Sequence, residues 1–363
     1  MLFHWLTSFH RPSYVVFFVT TACNARCKMC FYAGRMGINP AKDELTVDEY
    51  SRIARGLGHC HVVGISGGEP FLRQDLHQVV AAIYDNCSPL VLDLPTNGYF
   101  KDSILRQVEL ICRHCRKMTV DIQISIDGPE PVHDDIRQVK GGFRRMMETY
   151  RCLLELRKKF SNLRLKACVV YSAYNQASMP ELFDLIERDM SGVDRLVFSV
   201  AHGTPANQEA FDFDWDRYFA LCDRLRDSPL TKGGKDFHSV LTQALRVVKN
   251  GFLRNILKTK DMYRYCRAGS GVVAVSETGD VFPCEPLWRS VGNLRKTGYD
   301  MGAILRSREM REFQQDIRRQ CCHCHWGIPM TNAVLFSPRY YPQIAGEMGR
   351  LMMANRHCIA KGR

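Results

Sequence analysis

Cys23, Cys27 and Cys30 stand on one short stretch directly after an apolar run, in the order Cys-x3-Cys-x2-Cys. Three thiolates this close together can each take one iron of a cubane iron-sulfur cluster, leaving the fourth iron open. An open iron can chelate the amino and carboxylate groups of an amino acid, so the triplet says more than an isolated Cys-x2-Cys pair; a zinc site is the alternative for the same residue type. A second group lies toward the C-terminus: Cys266, Cys284, and then Cys321, Cys322 and Cys324, five cysteines for the four irons of a cubane. Consecutive side chains diverge, so Cys321 and Cys322 do not ligate together. Cys321 with Cys324 is the preferred pair, because Cys-x2-Cys is common in cluster proteins, and Cys322 with Cys324 is the alternative. A four-cysteine zinc ribbon would accept the same spacing.

The elements that must position these residues alternate. From residue 14 to about 201, short β-branched runs are followed by longer stretches of helical period. The runs predict strands over Tyr14–Thr20, His61–Ser66, Leu90–Leu94, Thr119–Ile126, Leu163–Tyr171 and Arg195–Ala201. Thr46 followed by Glu49 is a capping-box signature for the first helix, and further helices are predicted over Asp75–Asp85, Ser103–Cys115, Phe143–Lys159 and Pro180–Asp189. Strand-helix repeats of this kind build a parallel sheet, and chemistry gathers at the C-terminal ends of its strands. The cysteine triplet follows the first strand, Ser66-Gly67-Gly68-Glu69-Pro70 the second, Thr96-Asn97-Gly98 the third, Ser125-Ile126-Asp127-Gly128 the fourth and Asn175 the fifth. All therefore share one face. After His202 the alternation gives way to helical stretches over Trp215–Leu225 and Ser239–Lys249. Two strands around Thr278-Gly279 then predict a hairpin that ends on Cys284, and a helix near Ala303–Arg318 delivers the last cysteines.

Taken together, the Cys-x3-Cys-x2-Cys loop, the Gly67-Gly68-Glu69-Pro70 strand end and Ser125-Ile126-Asp127-Gly128 resemble the radical S-adenosylmethionine (SAM) superfamily. The resemblance implies a partial (β/α)6 TIM barrel in the α/β class, a SAM-binding 4Fe-4S cluster on Cys23, Cys27 and Cys30, and SAM as cofactor. It places Gly67, Gly68 and Glu69 at the methionine amino group, which suits carboxylate and carbonyl acceptors on a closely approaching backbone. Asn97, Ser125 and Asp127 fall where family members contact the ribose or carboxylate, and Arg137 falls near the cofactor carboxylate; for Asn97 and Asp127 a plain turn, and for Arg137 a surface ion pair, are the alternatives. The family commonly has an aromatic residue just before the third cysteine, and this chain has Met29, whose sulfur can still cover an adenine face. Cys266, the hairpin, Cys284, Gly292-Asn293 and the terminal cysteines resemble the twitch and SPASM extensions that hold auxiliary 4Fe-4S clusters. Ile328 stands where a further SPASM cysteine is expected, which points to one auxiliary cluster. The domains expected are an N-terminal segment (1–13), the core barrel (14–260), the auxiliary-cluster domain (261–335) and a C-terminal tail (336–363).

Composition narrows the surroundings. Apolar residues at 45% and charged residues at 24% are ordinary for a folded protein. The net charge of +12 comes without a basic run interleaved with aromatics, so it reads as a solvated surface and no specific nucleic-acid partner is expected. Of the sixteen cysteines, those in the two tight groups read as metal ligands and not as long-range staples, which implies a reducing cytoplasm. Cys112-x2-Cys115 falls inside a predicted helix and is assigned no function; Cys60, Cys87, Cys152, Cys168 and Cys222 read as small buried hydrophobes. No segment has the length of a membrane span, and Met1–His10 is expected to pack on the body of the protein.

The resemblance further implies reductive cleavage of SAM to a 5′-deoxyadenosyl radical that abstracts a substrate hydrogen, with electrons from a flavodoxin- or ferredoxin-type reductant. Oxidation or rearrangement of a small molecule is the first reading. Peptide maturation is second, because the segment ahead of Tyr14 leaves no room for a fused recognition domain. An iron-sulfur scaffold or electron carrier is third, since a carrier has no need to chelate an amino acid. His202, Glu285 and Trp326 are pocket candidates by nearness to the motifs.

Overall fold

The computed structural model describes residues 12–231, 237–319 and 324–360, with only the backbone of His238 and of 355–360. The expectations for Met1–His10, Cys321 and Cys322 fall outside the described residues. Eight strands, β1 (Tyr14–Phe18), β2 (Val62–Ser66), β3 (Val91–Thr96), β4 (Thr119–Ser125), β5 (Leu163–Tyr171), β6 (Arg195–Val200), β7 (Val272–Val275) and β8 (Val281–Phe282), form one sheet in the order β6-β5-β4-β3-β2-β1-β7-β8. All neighbours are parallel except the β7–β8 hairpin, and the sheet does not close on itself. The first six strands are the expected partial barrel. The hairpin was expected in a separate region, yet β7 pairs directly with the free edge of β1, Tyr14 opposite Val272 and Phe17 opposite Val275. The division near residue 260 therefore runs between hydrogen-bonded strands.

Period-two burial sorts the strand residues into two faces. Val15, Phe17, Val63, Ile65, Leu92, Leu94, Val120, Ile122, Ile124, Leu165, Ala167 and Leu196 pack into the main core with the helices. Tyr14, Val16, Phe18, Gly64, Asp93, Asp121, Gln123, Ser125, Lys166 and Arg195 occupy the alternate positions and face inward. Helices α1 (Val47–Leu57), α2 (Leu76–Cys87), α3 (Lys101–His114), α4 (Glu130–Arg137), α5 (Gly142–Arg157) and α6 (Met179–Asp189) cover the outer face. In α1 the buried residues Tyr50, Ile53, Ala54 and Leu57 recur at helical spacing. Its N-terminus carries the capping box: Thr46 Oγ1 accepts from Glu49 N at 3.3 Å, and Glu49 Oε2 accepts from Thr46 N at 2.8 Å.

Beyond β6 come α7 (Trp215–Arg226), α8 (Phe237–Thr259), α9 (Met301–Leu305), α10 (Arg308–Arg319), α11 (Gly327–Leu335) and α12 (Tyr341–Ala360). The segment expected as a tail is largely α12, and it packs along α8 together with α11. No helix of the described residues is long and apolar enough to cross a membrane. Arg295, just past the hairpin, donates to Glu49 at 2.6 and 3.0 Å and to the carbonyls of Asp43 and Glu44, fastening the C-terminal part to α1.

The Arg295 hydrogen bonds hold the Glu49 carboxyl at about 2, down from the usual 4.5. A depressed carboxylate contributes stability above its unfolded value and loses it as pH falls toward the folded one. Glu49→Gln, which keeps the cap acceptor, is expected to be less stable than the native chain at pH 7. The gap between their urea midpoints should close as pH falls from 4.5 toward 2, and an unchanged gap would refute the linkage.

Candidate functional site

After β1 the chain enters the loop that carries Cys23, Cys27 and Cys30, all half-buried free thiols. Main-chain hydrogen bonds hold this loop from three directions. Gly68 N donates to Thr20 O at 2.9 Å and Glu69 N to Ala22 O at 2.8 Å; Arg26 N and Lys28 N donate to the carbonyls of Arg137 and Ile136; Ala206 N and Asn207 N donate to those of Cys30 and Lys28. Burial raises all three thiols, Cys30 to about 12 with Cys27 and Cys23 adding to the effect. Thiols become thiolates when a metal centre takes them, and three cysteines on one loop match in number and type the ligands of three irons of a cubane. Met29 is buried with Ile136, Ala201 and Ala210.

The strap at the end of β2 lies against this loop. Gly67 has φ +134°, and a Cβ there would stand 2.4 Å from Thr20 O; at Gly68 it would stand 1.9 Å from Ala22 O and 2.9 Å from Cys23 Cβ. Only glycine allows the approach, which leaves backbone next to the cysteines with no side chain in between. Glu69 turns inward: Oε1 accepts from Thr96 Oγ1 at 2.9 Å and from Phe71 N at 3.3 Å, and Oε2 accepts from Asn97 N at 2.7 Å. Burial raises this carboxyl to about 7 against those hydrogen bonds. Asn97 in turn donates to Asn24 Oδ1 at 2.6 Å, inside the cysteine loop. Glu69 and Asn97 thus clamp the ends of β2 and β3 to the loop.

At the end of β4, Ser125 faces inward and makes no side-chain hydrogen bond among the described residues. Asp127 is fully buried and grips Arg137, with Nε and one terminal nitrogen each 2.6 Å from Oδ2. Burial opposes the charge of Arg137, but Asp127 and the Cys27 sulfur beside it keep the guanidinium protonated. Asn175 fixes Asp127 from behind, donating to its carbonyl at 3.0 Å and to Val170 O at 2.8 Å. Gly67, Gly68, Glu69, Asn97, Asp127 and Arg137 are therefore brought to the cysteine loop, as the motif order predicts, and Ser125 stands at the end of the neighbouring strand.

One participant escaped the sequence. Glu277, fully buried in the hairpin turn, accepts from Tyr32 Oη at 3.1 Å and from Asn39 Nδ2, with Arg35 at 3.5 Å. An isolated acid in a Ser-Glu-Thr-Gly turn carries no spacing signal, and its role arises only because β7 docks on β1. Of the second cysteine group, Cys266, Cys284 and Cys324 all pack half-buried against the main core, and Trp326 N donates to Cys324 Sγ at 3.4 Å. A cavity of about 470 Å³ opens beside Cys266, lined by Tyr263, Tyr265, Arg267, Arg318 and Phe336. Between the two groups, Phe31 stacks on His202 with centroids 4.9 Å apart, and His202 stacks on Trp326 at 5.8 Å. Cys112 and Cys115 are buried in the core.

A strand-end loop of free thiols with a glycine strap laid over it is the donor set of an iron-sulfur protein with open backbone beside the cluster ligands. The comparisons agree: residues 17–186 match the radical SAM superfamily, and residues 266–325 match SPASM, an iron-sulfur cluster-binding domain. The chain belongs to the radical SAM superfamily and carries a C-terminal SPASM domain; its cofactors are 4Fe-4S clusters and SAM. Among its relatives is the AdoMet-dependent heme synthase of Nitratidesulfovibrio vulgaris, 23% identical over 325 residues, 85% of this chain and 83% of that protein. The sporulation killing factor maturation protein SkfB of Bacillus subtilis is 27% identical over 176 residues, 47% of this chain and 38% of that protein. Streptococcus suis SuiB, solved with SAM bound, superposes with a TM-score of 0.59 at 16% identity over 87% of this chain and 70% of that chain.

Gly68→Ala drives a Cβ into Ala22 O and should displace the cysteine loop. Anaerobically reconstituted protein is expected to lose at least about a hundredfold in deoxyadenosine formation, equivalent to roughly 3 kcal/mol of lost stabilisation. The cluster absorbance of the second site should remain, and cleavage within a few-fold of native would refute the close-approach argument.

Proposed function

We propose that this protein reductively cleaves SAM to a 5′-deoxyadenosyl radical that takes a hydrogen from a small molecule, oxidising or rearranging it with help from an auxiliary 4Fe-4S cluster. The observation that carries this reading is the Gly67-Gly68 strap against the Cys23–Cys30 loop. A pure electron carrier needs the thiols, but it has no use for bare backbone held beside them.

In this reading Cys23, Cys27 and Cys30 would hold the first cluster, and the Gly67-Gly68 backbone would accept hydrogen bonds from the cofactor's amino group. Glu69 and Asn97 keep the strap and loop in register, and Ser125 meets the ribose side. Asp127 orients Arg137 beside the Cys27 sulfur, where its guanidinium would receive the cofactor carboxylate. Cys266, Cys284 and Cys324, with Cys321 or Cys322, hold the second cluster in a domain over 261–335, beside the barrel of 14–260. The inner face of the sheet excludes water from the substrate. A flavodoxin- or ferredoxin-type protein supplies electrons.

The small-molecule reading is supported by the heme synthase, which the chain matches along most of both lengths. Peptide maturation is the second reading, supported by SkfB and by SuiB, which has been solved with its precursor peptide SuiA.

Reconstitution with iron and sulfide, followed by dithionite and SAM, tests the division of labour. Native protein is expected to hold about eight irons per chain and to form deoxyadenosine. Cys27→Ala should abolish cleavage, whereas Cys284→Ala should retain cleavage within a few-fold and lose the substrate product. Equal loss of cleavage in both would sink the proposal.

A further inference from the structure

The inner face of the sheet carries two kinds of surface. Register sets Asp93 beside Asp121 and Asp121 beside Arg164, and in the next row Gln123 beside Lys166 and Lys166 beside Arg195. Lys166 lies 3.2 Å from Asp93 and also pairs with Asp121. Asp93 further accepts from Gln123 Nε2 at 2.8 Å and from Tyr14 Oη at 3.2 Å. These contacts satisfy Asp93 and Lys166. They do not satisfy the rest: Arg195 Nε and Asp121 Oδ1 are buried without a partner, with Asp121 only 5% exposed, and neither Arg164 nor Arg195 makes an ion pair or side-chain hydrogen bond among the described residues. The strands thus set three cations against two carboxylates, and burial works against the charge of Arg195. One buried Nε without a partner on a half-buried guanidinium favours the arrival of an acceptor, and the planar fork suits carboxylate and phosphate oxygens.

The other half of the face is mainly aromatic, with the Arg35 guanidinium set over the rings of Trp288 and Phe282. Val16, Phe18, Ala274 and Phe282 form a cluster under β1 and β7, with Phe31 and Trp288 packed on it. Along β6 the two surfaces are joined, Arg195 at its start and His202, stacked between Phe31 and Trp326, just past its end.

We propose that Arg195, backed by Arg164, is an anion subsite for the substrate, receiving a carboxylate or phosphate carried on an apolar, ring-bearing body that rests against the aromatic half. The inference rests on the radical-enzyme reading and supplies its substrate class. Arg195 is level with Lys166, two residues below the row in which Ser125 pairs with Cys168, so the anion sits about 7 Å deeper than the cofactor end of the strands. The reacting carbon is thereby held away from the charge, and Asp121 Oδ1 is left to accept from a donor beside the anion.

Three probes sharing one ring system test this: 1-pyrenebutyrate, 1-pyrenylmethyl phosphate and 1-pyrenebutanol, titrated by fluorescence quenching into reconstituted holoenzyme with SAM and no reductant. At least one anion is expected to bind about tenfold or more tighter than the alcohol, and which one does separates carboxylate from phosphate. Arg195→Met should erase that preference and leave binding of the alcohol and iron content unchanged, Arg195→Lys should restore part of it, and Arg164→Met should weaken it severalfold. Equal binding of all three probes, no binding of any, or a preference that survives in both methionine variants overturns the subsite. Failure of the native protein to form deoxyadenosine would count against the radical reading instead, and the probe titrations judge the subsite separately.

Discussion

The site depends on one close approach, that of the Gly67-Gly68 main chain to the carbonyls of Thr20 and Ala22. It fixes where the thiols stand before any metal arrives, and it seats unencumbered backbone beside them. Through Glu69 it also ties the ends of two further strands to the same point. Main-chain contacts spend no side-chain freedom, so what the loop's hydrogen bonds must offset is the ordering of its backbone.

The electrostatics follow the same plan. Partial burial makes the three thiols resist ionisation on their own, and the Arg137 guanidinium is fixed next to one of them by a wholly buried aspartate. Asn175 then fixes the aspartate, so a chain of single-purpose contacts runs from the fifth strand to the cysteine loop. On the opposite flank Glu277 gathers Tyr32, Arg35 and Asn39, the residues that follow the third cysteine. Each flank thus holds a buried ion pair, Arg137 with Asp127 on one side and Arg35 with Glu277 on the other.

Much of this was legible in the residues. The six strands were readable because β-branched runs alternate with capped helices, and the motif order followed because each chemical group ends a strand. Asp127 and Arg137 could be named from the sequence, but their mutual grip could not, since α4 is short and lies behind an Asp-Gly-Pro turn that reads as loop. The docking of β7 on β1 was also hidden: two apolar runs of five and four residues so distant in sequence carry no mark of pairing, and Glu277 went unseen with it. The tail helix α12 was missed because its apolar residues are spread and its stability comes from contact with α8.

That pairing has a consequence for how the chain is made. Ser13 and Gly271 are hydrogen-bonded across 258 residues, so one edge of the Val15–Phe18 strand stays bare through most of synthesis. A bare apolar edge is a template for wrong partners, and contacts this distant are slow to form. The C-terminal region is accordingly the last wall of the first cluster's chamber, and a nascent or truncated chain that ends before β7 presents its cysteine loop without Glu277 behind it and with an aggregation-prone strand at its side.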